Sequence, residues 1–339
     1  MKHYTYEKIT SNLAKYKLDE AAYRKFTKTQ WVVTEKIHGA NFCILTDGRI
    51  IQFAKRKTLL ETGEDFFAYS LIAKSLQNKV RQLFILLSYE FKDLTKIAVY
   101  GELYGGEYPH DEVAPIGGLQ AIQTGIYYSP SIQFSAFDIA YTNTNGERQY
   151  CDFKYLEKYC DQVELQYCKP LLIGSYEEAL SYPIGFQSTI PYALGLPPLA
   201  IDNKAEGIVI KPFENFEVDT IKGKLRPVLK KKIPAFSEDK RYQEAQKWRV
   251  QSKQQTRLSL SEFYEKELLP LITNQRLDNT ISKIGKWNKR NRKRIERLFV
   301  EDIWETLEEN SGNQLHYYKK ELLNEFLEKE VNMFLKRKN

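Results

Sequence analysis

Long apolar runs are missing from this chain. No stretch approaches the roughly 18 to 20 consecutive apolar residues that span a bilayer, and the N-terminus MKHYTYEKIT lacks the apolar core of a secretory signal. The expectation is an intracellular, cytoplasmic protein with no membrane partner. Cysteine and histidine are sparse, four of each. Cys43, Cys151, Cys160 and Cys168 show no C-x-x-C spacing, which argues against a zinc constellation and for reduced, partly buried thiols. Two nucleotide signatures are absent as well. There is no G-x-x-x-x-G-K-[ST] and no G-x-G-x-x-G, so any nucleotide must be held by another device.

The remaining shortages are local. Of 12 prolines, 11 precede residue 240, as do 15 of 17 glycines. Charge divides at the same place: residues 240 to 339 hold 22 Lys+Arg against 15 Asp+Glu, whereas residues 1 to 239 hold 29 of each. Two domains are therefore expected, 1–239 and 240–339, with the whole excess of +7 in the second. Hydrophobic content of 42%, with 13% aromatic, is ample for real cores and excludes a disordered chain.

The first part alternates strand-like runs with turn chemistry. WVVTEK and NFCILT are β-branched or aromatic runs, and Asp47-Gly48 followed by RIIQFAKR predicts a tight hairpin. IAVYGEL (97–103), IQFSAFDIAY (132–141), EGIVIKP (206–212) and RPVLKKK (226–232) are further strands. EDFFAYSLIAKSLQNKVRQLFILLSYEF carries apolar residues at helical intervals, and CDFKYLEKYC reads as a shorter helix. After Ser237, SEFYEKELLPLI, ISKIGKWNKRNRKRIERLFVEDIWETLEE and YYKKELLNEFLEKEVNMFLKRK are helical, with Ser261 a candidate N-cap. The fold class is α+β, an antiparallel-sheet domain followed by a small all-α domain.

TEKIHGANF (34–42) is a hydrophilic island between apolar runs, with Lys36 at a strand end. A lysine amine at its ordinary pKa of about 10.4 is protonated at neutral pH and cannot attack anything. Neighbouring cations or desolvation release the lone pair. Lys55, Arg56, Lys211 and the run Lys230, Lys231, Lys232 lie on strand-like segments and are candidates for those neighbours. Lys230 and Lys232, two apart, face one side of a strand, and Lys231 faces the other. Taken alone, Lys36 would read as an exposed strand-end lysine.

EKIHG, YGELYGG, FSAFDI, EGIVIKP and LKKKIPAFSE, in this order, resemble the motifs of the covalent nucleotidyltransferases. Among these the chain looks like the double-strand, nick-sealing RNA ligases of certain phages and the kinetoplastid RNA-editing ligases. Histidine at position 38, where DNA ligases and capping enzymes usually have aspartate, favours the RNA ligases, as does a helical end in place of an OB module. The fold implied is an ATP-grasp-like ligase (nucleotidyltransferase) domain. The activity implied is ATP-dependent joining of an RNA 3′-hydroxyl to a 5′-phosphate, at nicks in duplex RNA, by a monomer using Mg2+ or Mn2+. Lysyl-AMP forms first, AMP passes to the 5′-phosphate, and the 3′-hydroxyl then displaces AMP.

By the same resemblance Lys36 is the nucleophile, Glu35 touches the adenine edge and Asn41 lies by the ribose or a metal-bound water. Arg56 grips phosphate with its planar fork. Glu102 bonds ribose or helps hold metal, Phe137 stacks on adenine, and Asp138 stands behind it. Glu206 binds divalent metal directly or through water, Lys211 lies near phosphate or metal-bound water, and Lys230 and Lys232 aim at the α-phosphate. Lys8 and Ile9 contact adenine from the N-terminal segment. Two insertions depart from the phage pattern, 107–130 and 182–203, of which the second could shape an RNA-facing rim; His110 in the first reads as a surface residue.

In the helical end, Lys286, Arg290, Lys293 and Arg297 recur at three- and four-residue intervals as one cationic face, with Ile284, Trp287, Ile295 and Leu298 left for packing. Such a stripe suits an RNA phosphate backbone. Two other readings stand beside the RNA ligase: a related nucleotidyltransferase, such as a DNA ligase or a GTP-dependent capping enzyme, and a non-catalytic RNA-binding protein of the same fold.

Overall fold

The computed structural model describes residues 1–13, 16–61, 63–64, 66–220, 223–233, 263–284, 291–311 and 320–336. The chain divides into two compact units, residues 1–233 and 234–339. The α+β class holds, and every strand ladder among the described residues is antiparallel.

In the first unit, α1 (Glu20–Lys28) is capped by the Asp19 carboxylate and leads into β1 (Trp31–Glu35). β2 (Ala40–Thr46) and β3 (Ile51–Lys55) form the expected hairpin, closed by four residues rather than two. Asp47 Oδ1 accepts from the N–H groups of Arg49 and Ile50, and Gly48 takes a positive φ of 87°. The long helix α2 (Ser70–Glu90) starts later than its apolar pattern suggested, because Phe67 and Ala68 both take positive φ. It buries Leu76, Val80, Leu83 and Leu87 on one face of a sheet ordered β3-β2-β4-β5-β6, where β4 is Leu94–Glu107, β5 Ser129–Asn143 and β6 Arg148–Tyr150.

The second sheet is ordered β11-β8-β1-β7. Here α3 (Phe153–Gln162) is followed by β7 (Pro170–Gly174), α4 (Tyr176–Ser181), α5 (Ile190–Ala193) and β8 (Gly207–Pro212). A two-stranded ribbon, β9 (Val218–Thr220) with β10 (Gly223–Leu225), precedes β11 (Leu229–Lys232). Trp31, Val33, Ile208, Ile210 and Leu229 bury one face of this sheet against Phe26 of α1 and Ala179 of α4.

Its other face meets the five-stranded sheet, and the junction is ionic. Lys211 Nζ donates to Asp138 Oδ1 at 2.8 Å, and Arg226 and the Tyr6 hydroxyl bond Oδ2 of the same carboxylate. All four side chains are buried.

In the second unit, Pro270 and its surroundings replace the expected first α-helix with a π-turn at Tyr264–Leu268 and a 3-10 turn at Leu269–Leu271. Helices Asn274–Ile284, Arg292–Ser311 and Lys320–Lys336 follow. Ile295, Phe299, Ile303 and Leu307 pack with Leu323, Leu327, Val331 and Leu335, both series at four-residue spacing. Buried Arg276 donates to Asp302 at 2.6 Å and Thr306 at 2.9 Å. Ser261, Lys286, Trp287 and Arg290 lie outside the described residues. No helix among the described residues is long and apolar enough to cross a membrane.

Asp138 gives the first test. Burial pushes its carboxyl up, but Arg226 and Lys211 outweigh that and hold it at about 2. Its folded pKa is depressed, so its contribution is present above the unfolded value of about 4 and is lost as pH falls toward 2. Asp138→Ala should destabilise the protein by about 3 to 5 kcal/mol at pH 7, because it strands two buried cations. Urea unfolding at pH 7 and pH 3 should show that difference shrinking in acid.

Candidate active site

The register of the two sheets places most of the expected site residues on facing walls. On the four-stranded sheet, Val32 pairs with Lys211, Thr34 with Val209, Val209 with Lys230 and Gly207 with Lys232. The Lys36 N–H donates to the Gly207 carbonyl at 2.9 Å, continuing that register. Paired residues in a ladder point the same way, so Lys36, Lys211, Lys230 and Lys232 share the inner face. Lys231 points to the other side, where its ammonium donates to the Leu180 carbonyl.

On the facing sheet, Asn41 pairs with Glu102 and Glu102 with Ser135 in one row. Arg56 follows the end of β3 at Lys55, the partner of Phe42, and its charge acts on the Glu102 carboxyl. Phe137 joins this face through a β-bulge: Tyr100 pairs with Asp138 and Gly101 with Ala136, which leaves Phe137 as the extra residue. Without the bulge Phe137 and Asp138 would lie on opposite faces. Tyr6 meets the Phe137 ring edge-on at 4.9 Å, and Ile9 packs in the same cluster. Lys8, beside it, is exposed.

Glu206 is the centre of the lysine wall. Its Oε2 accepts from Lys36 Nζ at 2.8 Å and stands 3.4 Å from His38 Nδ1, while Oε1 is 2.9 Å from Lys232 Nζ. Burial works to raise its pKa, and Lys36, Lys232 and His38 together hold it well below the ordinary carboxylate range. Gly207 makes the cluster possible. Its φ is +149°, and a Cβ there would stand 1.9 Å from the Lys231 carbonyl oxygen.

Glu102 is shifted the opposite way. Burial pushes it up to about 7 against the pull of Lys36, with Glu206 adding repulsion and Arg56 and the Gly39 N–H favouring the charged form. The Arg56 guanidinium forms no ion pair among the described residues, so it stands ready for an anion.

Two residues are placed differently from expectation. Glu35, expected at the adenine edge, is 5% exposed, and its carboxylate accepts from Ser188 Oγ at 2.6 Å, Thr189 N at 2.8 Å and Thr189 Oγ1 at 2.7 Å. It lines a cavity of about 350 Å³ with Ile37, Tyr104, Tyr167 and Leu194. Strand alternation puts it opposite Lys36. Lys211, expected near phosphate, is 4% exposed and committed to Asp138 and the Phe137 carbonyl. His110 Nδ1 accepts from the Glu112 N–H within its own turn, away from this cluster.

His38 was not among the expected site residues, although period-2 alternation from Lys36 points to it. The donor set also bears on a divalent cation. Among the described residues no three His, Cys, Asp or Glu side chains stand together as a metal cage. Both Glu206 oxygens are taken by lysines, yet Asn41 Oδ1 is buried without a hydrogen-bond partner in the Glu102 row. That combination fits a hydrated cation carried on nucleotide phosphates rather than one dehydrated by the protein. Lys293 and Arg297 are exposed one turn apart on the helix Arg292–Ser311, with Ile295 and Phe299 buried.

Residues 29–232 match the family model described as RNA ligase, a span that encloses both walls of the groove. The chain belongs to the RNA ligase family. Residues 254–333 of this RNA ligase family member match a second model, T4 RNA ligase 2 C-terminal, so the resemblance read from the motifs holds. RNA-editing ligase 1, mitochondrial, of Trypanosoma brucei brucei is 30% identical over 236 residues, covering 62% of this chain and 50% of that protein. RNA-editing ligase 2, mitochondrial, of the same organism is 31% identical over 229 residues, covering 62% and 55%. The chain thus spans about half the length of these relatives. A solved RNA ligase of Naegleria gruberi with ATP and Mn aligns with a TM-score of 0.42 at 14% identity, over 70% of this chain and 58% of that one. The assignment rests on the sequence matches.

The raised Glu102 carboxyl makes a pH prediction. Above about pH 7 both states are ionised and the folded state bears the penalty of the buried charge; below about 4.5 both are protonated and the penalty vanishes. Glu102→Gln should therefore raise stability by up to roughly 3 kcal/mol at pH 8 and leave it unchanged at pH 4. Thermal unfolding across that range checks it.

Proposed function

We propose that this RNA ligase family member joins RNA 3′-hydroxyl and 5′-phosphate ends with ATP, through AMP carried on Lys36, acting as a monomer at nicks in duplex RNA. The observation that carries the reading is the convergence of Lys36, Lys232 and His38 on the one carboxylate of Glu206, across a groove from Glu102, Asn41 and Arg56. Phosphoryl transfer asks chiefly for positioning and for cations on the phosphate. Lys230, Lys232 and Arg56 supply cations on both walls, and Phe137 supplies a partly exposed ring for a base.

Lys36 must part from Glu206 and lose a proton to water before its amine attacks the α-phosphate, forming the P–N bond as the P–O bond to the departing pyrophosphate breaks. An incoming triphosphate gives Lys232 and Arg56 anionic partners that compete with the two carboxylates. Mg2+ or Mn2+, held through water by Glu206, Glu102 and Asn41, would neutralise phosphate charge. The basic second unit would hold RNA by its phosphate backbone, through Lys293 and Arg297 together with Lys286 and Arg290 of the same basic sequence run.

Incubation with α-labelled ATP and Mg2+ should label the protein, and Lys36→Ala should abolish the label; label retained on that variant would discard the assignment. Lys230→Ala or Lys232→Ala should slow labelling far more than Lys231→Ala, whose ammonium serves the opposite side of the sheet. Labelled GTP should not substitute, and nicked RNA duplex should be sealed in preference to nicked DNA. Replacing Lys293 and Arg297 together by alanine should lessen the salt dependence of duplex RNA binding, by roughly one unit of log–log slope for every phosphate that the pair grips.

A further inference from the structure

The turn that carries the nucleophile, residues 36–39, leaves β1 before entering β2 and, among the described residues, makes one ladder-type bond, from Lys36 N–H to the Gly207 carbonyl. Its remaining backbone groups need partners from elsewhere. The Gly39 N–H favours the charged form of the Glu102 carboxylate. Two further partners come from the first insertion, 107–130. The His38 N–H donates to the Tyr128 hydroxyl at 2.9 Å, and Gln123 Nε2 donates to the Gly39 carbonyl at 3.2 Å. Both side chains are buried, Tyr128 at 2% exposure and Gln123 at 8%.

Gln123 is a poor choice for stability alone. Its Oε1 is buried with no hydrogen-bond partner among the described residues. A half-satisfied buried amide is less favourable than an apolar side chain of the same shape. Its one bond goes to the turn next to Lys36. Burial keeps the Tyr128 phenol protonated, so its oxygen is a neutral acceptor fixed within a packed environment, with the Tyr104 ring edge-on at 5.4 Å.

The insertion is itself anchored. Gly105 and Gly106 take φ of 93° and 96° and bend the end of β4, so that the Ile122 N–H can reach the Gly105 carbonyl at 3.0 Å. A Cβ on Gly106 would stand 2.3 Å from the Gln120 carbonyl oxygen. Tyr127 exchanges two hydrogen bonds with Asn203 of the second insertion, at 2.9 and 2.7 Å. Tyr128 and Gln123 are therefore held from behind on two sides.

We propose that Tyr128 and Gln123 are positioning residues for the nucleophile, holding the 36–39 turn so that the Lys36 amine meets the α-phosphate in line. This rests on the ligase reading above, in which Lys36 is consumed in the first step and is a bystander when the 3′-hydroxyl displaces AMP. A positioning defect then falls on the two steps that make and break the bond between Lys36 and AMP, and spares the third.

The test uses the full chain, with Tyr128→Phe and Gln123→Met. Rapid-quench labelling at saturating α-labelled ATP should show the rate constant falling about 10- to 100-fold in each variant. Sealing of a nicked duplex whose 5′-phosphate is already adenylylated should stay within about twofold of the unmodified protein. Gln123→Met should keep or raise the melting temperature, which separates positioning from folding even if Tyr128→Phe is unstable. Labelling of Gln123→Met at the unmodified rate, or a parallel loss of labelling and sealing, would overturn the proposal. Failure of the unmodified protein to label would instead overturn the ligase reading itself.

Discussion

A single buried carboxylate, that of Glu206, is shared by two ammonium groups from different strands, and the site is organised around that sharing. Lys36 and Lys232 repel each other and neither would stay on the inner face of a sheet without a counter-charge between them. A buried carboxylate in turn tolerates burial only when charge and hydrogen bonds surround it. Gly207 is the geometric condition for the arrangement, since any side chain at that position would collide with the Lys231 backbone. The groove is thus built from mutual dependence: remove the acid and the bases part, remove the glycine and the strands cannot close over it.

The two acids of the groove are held in opposite states by that environment. Glu206, between cations, is firmly ionised, whereas Glu102, facing it from the other sheet, is poised near neutrality. A polyanion with its counter-cation entering the groove changes both at once. In the ligase reading proposed above, it would draw the lysines away from Glu206 and give Glu102 a positive partner. Two carboxylates with separated pKa values are a common signature of sites that bind and release charge.

Much of this was legible in the sequence because a strand is the simplest code a chain has. Alternation alone put Lys230 and Lys232 on one face and Lys231 on the other, and the motif order brought Lys36, Glu102 and Glu206 together. What was not legible depended on contacts between distant segments or on departures from alternation. Phe137 reached its face through a bulge that no run of residues in IQFSAFDIAY announces. Lys211 and Asp138 neutralise each other across the two sheets, and Glu35 is claimed by Ser188 and Thr189 more than 150 positions away. Short edge pieces such as β7 and α5 carry too few residues for periodicity to register. Pro270 broke a helix that apolar spacing alone would have continued.

The ion cluster at Asp138 has a mechanical consequence. It bolts the two sheets together at Lys211, and Lys211 lies four residues along β8 from Gly207, a separation of about 13 Å at the usual strand rise. Within the first unit, a widening of the cleft would pivot at that cluster, so its displacement would grow with distance from it and be greatest at the Lys36 end. The first unit is built like a pair of tongs with its rivet at Asp138, and the end far from the rivet is the one best able to part.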